Sequence, residues 1–97
     1  MILQIAQIKV RPGSGEAFQA AVATAVGTIF ARAKGFVGLQ LKPSLETDDK
    51  FWLLARWKTL ENHTVDFRGS ADFEAWRALA GPFFAEPPLI DHVRLDV

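Results

Sequence analysis

The sequence predicts an α+β fold: a four-stranded antiparallel sheet with helices on one face, in the order β-α-β-β-α-β. Three observations predict it. Short runs rich in β-branched and aromatic residues alternate with segments of helical spacing. Clusters of Gly, Pro and small polar residues punctuate the chain between them. Strands and helices in this order, within 97 residues, pack most simply as two layers.

The first strand is "ILQIAQIKV", Ile2–Val10, stopped by Arg11-Pro12-Gly13. Ser14 stands where an N-cap belongs, and Glu16 in the first turn suits the helix dipole. Phe18, Val22, Ala25, Val26 and Ile29 recur on one helical face, and Lys34-Gly35 supplies a cation and then a residue free to take positive φ. "FVGLQLKP" (Phe36–Pro43) is the second strand, "SLETDDK" a polar hairpin loop, and "FWLLARW" (Phe51–Trp57) the third strand. Thr59 can cap a short helix carrying Leu60, His63, Thr64 and Phe67, which Arg68-Gly69 interrupts. Ser70 caps a second piece carrying Phe73, Trp76 and Ala80, and Gly81-Pro82 ends it. "PPLIDHVRLDV" closes the chain as the fourth strand.

The length implies a single domain over residues 1–97, with a real but thin core that buries roughly two thirds of the unfolded surface. Yet the chain is 49% hydrophobic, with eight Phe and three Trp. So large an apolar load calls for cover from a second subunit or a ligand. The third strand sharpens this expectation. Phe51, Leu53, Ala55 and Trp57 share one face, Trp52, Leu54 and Arg56 the other, and both faces carry large apolar groups. A homodimer formed sheet to sheet is therefore expected.

Eleven basic and eleven acidic residues cancel, so the concentrated positive field that nucleic acid requires is missing. Without cysteine there are no disulfides, thiolate ligands or Cys nucleophiles, and the two histidines show no metal-ligand spacing. The start "MILQIAQIKV" has no basic leader and is interrupted by Gln4, Gln7 and Lys9, so it reads as neither signal peptide nor membrane span. A soluble, cytoplasmic protein is the expectation.

The segment "FWLLARWKTLENHTVDFRGSADFEAWRALAGPFFAEPPLIDHV" resembles the antibiotic biosynthesis monooxygenase domain family. The resemblance lies in a strand ending in Trp57, the polar helix start Thr59-Leu60-Glu61, the Ser70-Ala71-Asp72-Phe73 helix and Pro87-Pro88 before the last strand. "IAQIKVRPGSGEAF" and "KGFVGLQL" extend it over nearly the whole chain. It implies a ferredoxin-like fold pairing as a dimeric α+β barrel, with a pocket between sheet and helices. The family includes monooxygenases of polycyclic phenols, quinol oxidases and haem-degrading proteins. The last kind use an Asn, a Trp and a His where this chain has, approximately, Gln7 (or Ala6), Phe67 and Arg77, which argues against haem cleavage. The pocket tyrosine associated with the phenol oxygenases has no counterpart, since the chain contains no Tyr.

No Gly-rich dinucleotide motif, Cys ligand or two-His-carboxylate spacing is present, so an oxidation here would proceed without a cofactor. In such chemistry the deprotonated substrate itself reduces O₂. The protein supplies a base, a dry aromatic cavity and donors for the developing anion. His63 is the candidate base: it lies within roughly 60° of Leu60 and 40° of Phe67 around a helix, bordering the apolar stripe. The plainer account is a helix histidine bonded to a strand carbonyl or half in water. His92, in phase with Ile90 and Arg94, is a weaker catalytic candidate and more simply an exposed or interface residue. Trp57, Phe67, Phe73 and Trp76 are candidates to line a substrate pocket, or are ordinary core. Gln7 is a candidate donor to a substrate oxygen, and Arg56 either holds an anion or pairs with Glu46 or Asp91. The expected function is cofactor-independent oxidation of a phenol or quinol by O₂. The alternative is a non-catalytic homodimer that binds a small apolar molecule.

Overall fold

The computed structural model describes residues 1–96, so Val97, the end of the expected fourth strand, lies outside the described residues. Strand β1 (Ile2–Lys9) is followed by helix α1 (Gly15–Thr28), a 3₁₀ turn (Phe30–Arg32), β2 (Phe36–Pro43) and β3 (Lys50–Trp57). A π-helical turn (Asn62–Phe67), helix α2 (Ala71–Ala80), a second 3₁₀ turn (Gly81–Phe83) and β4 (Leu89–Arg94) complete it. The sheet order is β2-β3-β1-β4, with every neighbouring pair antiparallel. This is the ferredoxin-like α+β arrangement.

Period-two alternation decides which residues meet the helices. Gln4, Ala6, Ile8 and Val10 of β1 and its end, with Phe51, Leu53, Ala55 and Trp57 of β3, are all buried beneath the helical layer. Helix α1 lays Phe18, Val22 and Ala25 on them. The opposite sheet face carries Leu3, Ile5, Trp52 and Leu54, all half-buried, beside Leu89 and Val93, which are 63% and 42% exposed. Large apolar groups thus stand on both faces of the sheet.

Two local expectations are corrected. Helix α1 ends at Thr28, before the 3₁₀ turn, so Lys34-Gly35 belongs to the turn entering β2. Gly35 there has φ +76°, a conformation that disfavours any side chain, and an added Cβ would collide with Asn62 Oδ1. Ser14 occupies the N-cap position of α1, but its hydroxyl makes no capping bond; the Phe18 N–H bonds its carbonyl instead. Ser70 does cap α2, its Oγ accepting from the Phe73 N–H at 3.2 Å.

Thr59 and Asn62 cap the intervening helical segment reciprocally. The Asn62 N–H donates to Thr59 Oγ1 at 3.2 Å, and the Thr59 N–H donates to Asn62 Oδ1 at 3.1 Å. This segment then widens, with the Arg68 N–H reaching back five residues to the His63 carbonyl at 3.2 Å. The widened turn points Asn62, His63 and Phe67 into the protein. Arg32 clamps the start of α2 by a bidentate pair, its Nη2 and Nε donating to the Asp72 carboxylate at 2.8 and 3.1 Å.

Candidate functional site

The helical layer does not close completely over the sheet. A cavity of about 320 Å³ lies between β1, β3 and β4 on one side and the π turn with α2 on the other. Gln4, Ala6 and Leu53 form part of its floor, and His63, Phe67, Arg68, Phe73 and Trp76 its roof and walls. A second recess, between α2 and Pro87-Pro88, shares Phe73, Trp76, Phe84, Pro88 and Ile90 with the first. Those shared residues make an apolar mouth leading from the surface to the polar corner at Gln4, His63 and Arg68.

Stacked rings build the walls. Phe30 packs against Phe67 at 5.1 Å and edge-on to Trp76 at 5.0 Å between ring centres, and Phe67 meets Phe73 edge-on at 5.7 Å. His63 is only 3% exposed and lies nearly parallel to Trp57, with ring centres 5.3 Å apart. Trp57 itself is fully buried, and its indole N–H donates to Gln4 Oε1 at 3.0 Å. Removing a Trp so enclosed typically costs about 3–5 kcal/mol. That bond occupies the amide oxygen of Gln4 in a buried setting and orients the side chain at the cavity floor.

His92 faces the same side. It is the register partner of Gln4 across β1 and β4, and His63 Nδ1 lies 2.9 Å from His92 Nε2. One of these nitrogens donates and the other accepts, so the tautomers of the two rings are linked. His63 Nε2 makes no hydrogen bond with the described residues, and none of their buried side-chain nitrogens lacks a partner. Nε2 is therefore not sealed from open space, and it belongs to a residue that lines the cavity. Burial holds the His63 imidazolium down to a pKa of about 4, reinforced by the Arg68 guanidinium and by His92. Burial and Arg68 also lower His92, while the Asp91 carboxylate opposes them. At neutral pH both rings are uncharged.

The structure thus gathers His63, Phe67, Phe73 and Trp76 around one cavity and joins His92 to His63. Two predicted site residues fall elsewhere. Gln7 is on the opposite sheet face, paired with Trp52, because strand alternation separates it from Ala6 and Ile8. Trp57 does not line the cavity; it lies behind His63 as the surface on which the imidazole stacks. Arg56 is exposed on the outer face and makes no ion pair with Glu46 or Asp91 among the described residues. Gln4 and Arg68 were not expected at the site. Alternation alone points to Gln4, which is in phase with apolar Ile2, Ala6, Ile8 and Val10, whereas Gln7 is in phase with Lys9. Arg68 reads as a helix interruption, and nothing in its spacing announces the cavity.

The chain belongs to the antibiotic biosynthesis monooxygenase family, whose model matches residues 1–79. It is similar to a candidate antibiotic biosynthesis monooxygenase of Bordetella bronchiseptica, at 46% identity and a TM-score of 0.92 over 96% of this chain and 94% of that one. The uncharacterised protein YczJ of Bacillus subtilis is 33% identical over 92 residues, covering 95% of this chain and 96% of YczJ. The fold is shared with the Streptomyces coelicolor monooxygenase from ActVA-Orf6, solved in complex with nanaomycin D. There the identity is 17% and the TM-score 0.79, over 95% of this chain and 84% of that one. No helix among the described residues is long and apolar enough to cross a membrane.

Proposed function

We propose that this protein is a cofactor-independent monooxygenase-like enzyme that oxidises a phenolic or quinol-type small molecule with O₂. The observation that carries the reading is the uncharged imidazole of His63, which lines an aromatic-walled cavity beside Gln4 and Arg68. A flat ring enters between Phe73, Trp76 and Pro88 and lies against Phe67, with its hydroxyl at the polar corner. His63 Nε2 accepts the hydroxyl proton. The Gln4 amide and the Arg68 guanidinium stabilise the phenolate, which donates an electron to O₂. For a simple phenol, one equivalent of O₂ then yields the quinone and one water. That a Streptomyces monooxygenase of the same fold was solved with the ligand nanaomycin D supports a small-molecule ligand for a protein of this fold.

The test is oxygen uptake with a panel of one- to three-ring phenols and quinols, corrected for autoxidation. Uptake proportional to protein concentration is expected for at least one compound. The second reading is a non-catalytic binding protein, for which an imidazole too weakly basic to protonate is a neutral hydrogen-bonding group. Saturable quenching of tryptophan fluorescence by a phenol that supports no uptake would favour it.

We also propose that the outer sheet face pairs with a second copy of the chain as a dimeric α+β barrel. The support is the cluster Leu3, Ile5, Trp52 and Leu54, continued by exposed Leu89 and Val93. Light scattering at micromolar concentration should give a mass near twice the 10.7 kDa of one chain. A mass of one chain would contradict the pairing, and Leu54→Lys should shift the parent toward monomer.

A further inference from the structure

The cavity needs one histidine as a base, yet His63, which lines it, is in contact with a second, His92, that does not. Resting on the reading above, we infer that His63 and His92 form a two-imidazole proton relay. In it His92 is a positioning residue that orients His63 and carries the proton between the cavity and solvent at the edge of the sheet.

Four observations carry this. The His63 Nδ1 to His92 Nε2 distance of 2.9 Å is short enough for a proton to pass along the hydrogen bond. The two rings lead outward, since His63 is buried while His92 is half-buried on β4, an edge strand. The His63 ring packs against both Trp57 and Phe67, at 5.3 and 6.2 Å and 27° to each, and is only 3% exposed, so it delivers a proton by changing tautomer rather than by swinging. Gln4, opposite His92 on β1, accepts the Trp57 indole N–H and makes no hydrogen bond to His92 among the described residues, so His63 is the imidazole's side-chain partner there.

The charged neighbours decide where positive charge can rest. Arg68, which lines the cavity with His63, disfavours positive charge on either imidazole. Asp91, whose Oδ1 accepts the His92 backbone N–H at 2.8 Å, favours charge on His92 alone. Gln4, Trp57 and Phe67 beside the pair are neutral. A buried His63 that simply accepted a proton would become an unfavourable imidazolium. The relay avoids that state. As the ligand O–H bond breaks, N–H forms at His63 Nε2. The Nδ1–H of His63 breaks as N–H forms at His92 Nε2, and His92 releases its Nδ1 proton to water. His63 is then neutral with its proton facing the cavity, His92 is neutral, and the ligand carries the negative charge. Run in reverse, the same transfers return a proton to the oxidised ligand and restore both tautomers.

Nitrogen-15 spectra of the imidazoles in the whole protein, together with steady-state oxygen uptake, test the relay. At neutral pH the parent should show His63 protonated at Nδ1 and bare at Nε2, with both rings shifting together as either titrates. His92→Ala should leave His63 a mixture of tautomers. It should lower kcat by about 10- to 100-fold with KM changed less than about threefold, and added imidazole should restore part of kcat. His92→Gln supplies an acceptor for the His63 Nδ1–H but cannot pass a proton on, so it should keep the tautomer and remain slow. Full activity in His92→Gln would overturn the relay, as would failure of imidazole to restore His92→Ala. Independent titration of the two rings in the parent would also overturn it, even if no phenol supported uptake. Absent uptake with coupled rings would leave the relay standing and sink the oxygenase reading instead.

Discussion

Replacing His63 by Ala is expected to lower protein-dependent oxygen uptake by about 10²- to 10⁴-fold, the usual contribution of a positioned general base. The loss should fall on kcat. Gln4, Arg68 and the aromatic walls remain to bind the ring, so KM should move little. Because His63 is buried against Trp57 and Phe67, its removal also opens a void, and a melting curve must accompany the kinetics. His63→Gln fills more of that void and keeps a polar group at the cavity, but it offers no basic nitrogen. It should be folded and comparably slow. Uptake within about threefold of the parent in a folded His63→Gln protein would show that the proton leaves by another route.

Acid should destabilise the protein over an unusually specific window. His63 is protonated in the native state only at a pKa of about 4, whereas an unfolded histidine binds its proton near 6.5. Between those values the unfolded chain holds more protons than the folded one, so stability falls as the pH falls. A shift of this size corresponds to a loss of roughly 3 kcal/mol by pH 4, large beside the 5–15 kcal/mol typical of a folded domain. His92 is lowered in the same direction and adds to the slope. Urea unfolding at a series of pH values reads this directly. The parent should lose stability steeply from pH 6.5 to 4, and His63→Gln should show a clearly shallower fall. A flat parent curve across that interval would mean that His63 ionises freely and is not held neutral in the cavity.

These effects depend on contacts that were legible in the sequence to different degrees. The sheet was readable because β1 and β3 alternate, and the same alternation separates Gln4 from Gln7. Choosing Gln7 as the pocket residue disregarded that phase: its companions on the outer face include Lys9, while Gln4 sits among buried Ala6 and Ile8. The apolar stripe placed His63, Phe67, Phe73 and Trp76 on the helical side of the core, where they border the cavity. The π turn was not legible. "NHTVDF" fits an ordinary helix, and the extra residue in the turn shows only in the backbone bond from Arg68 to His63. Nor could local pattern join two histidines 29 residues apart; that contact needs both the β1–β4 register and the docking of the π turn onto the sheet. Trp57 was ambiguous between wall and core because a residue can stand one layer behind a cavity while sharing its face of the strand.

Isotopic labelling distinguishes monooxygenation at the His63 cavity from binding alone. With the phenol giving the greatest uptake, turnover under oxygen-18 gas should place one labelled atom in the product quinone and the other in water. The early product should be analysed before its oxygen exchanges with solvent, with His63→Gln as control. Label appearing in the product at a rate proportional to the parent protein, and suppressed in the variant, is the predicted result. A phenol that quenches tryptophan fluorescence on binding yet is recovered unlabelled, with O₂ unconsumed, would rule out monooxygenation there and leave the cavity as a binding site.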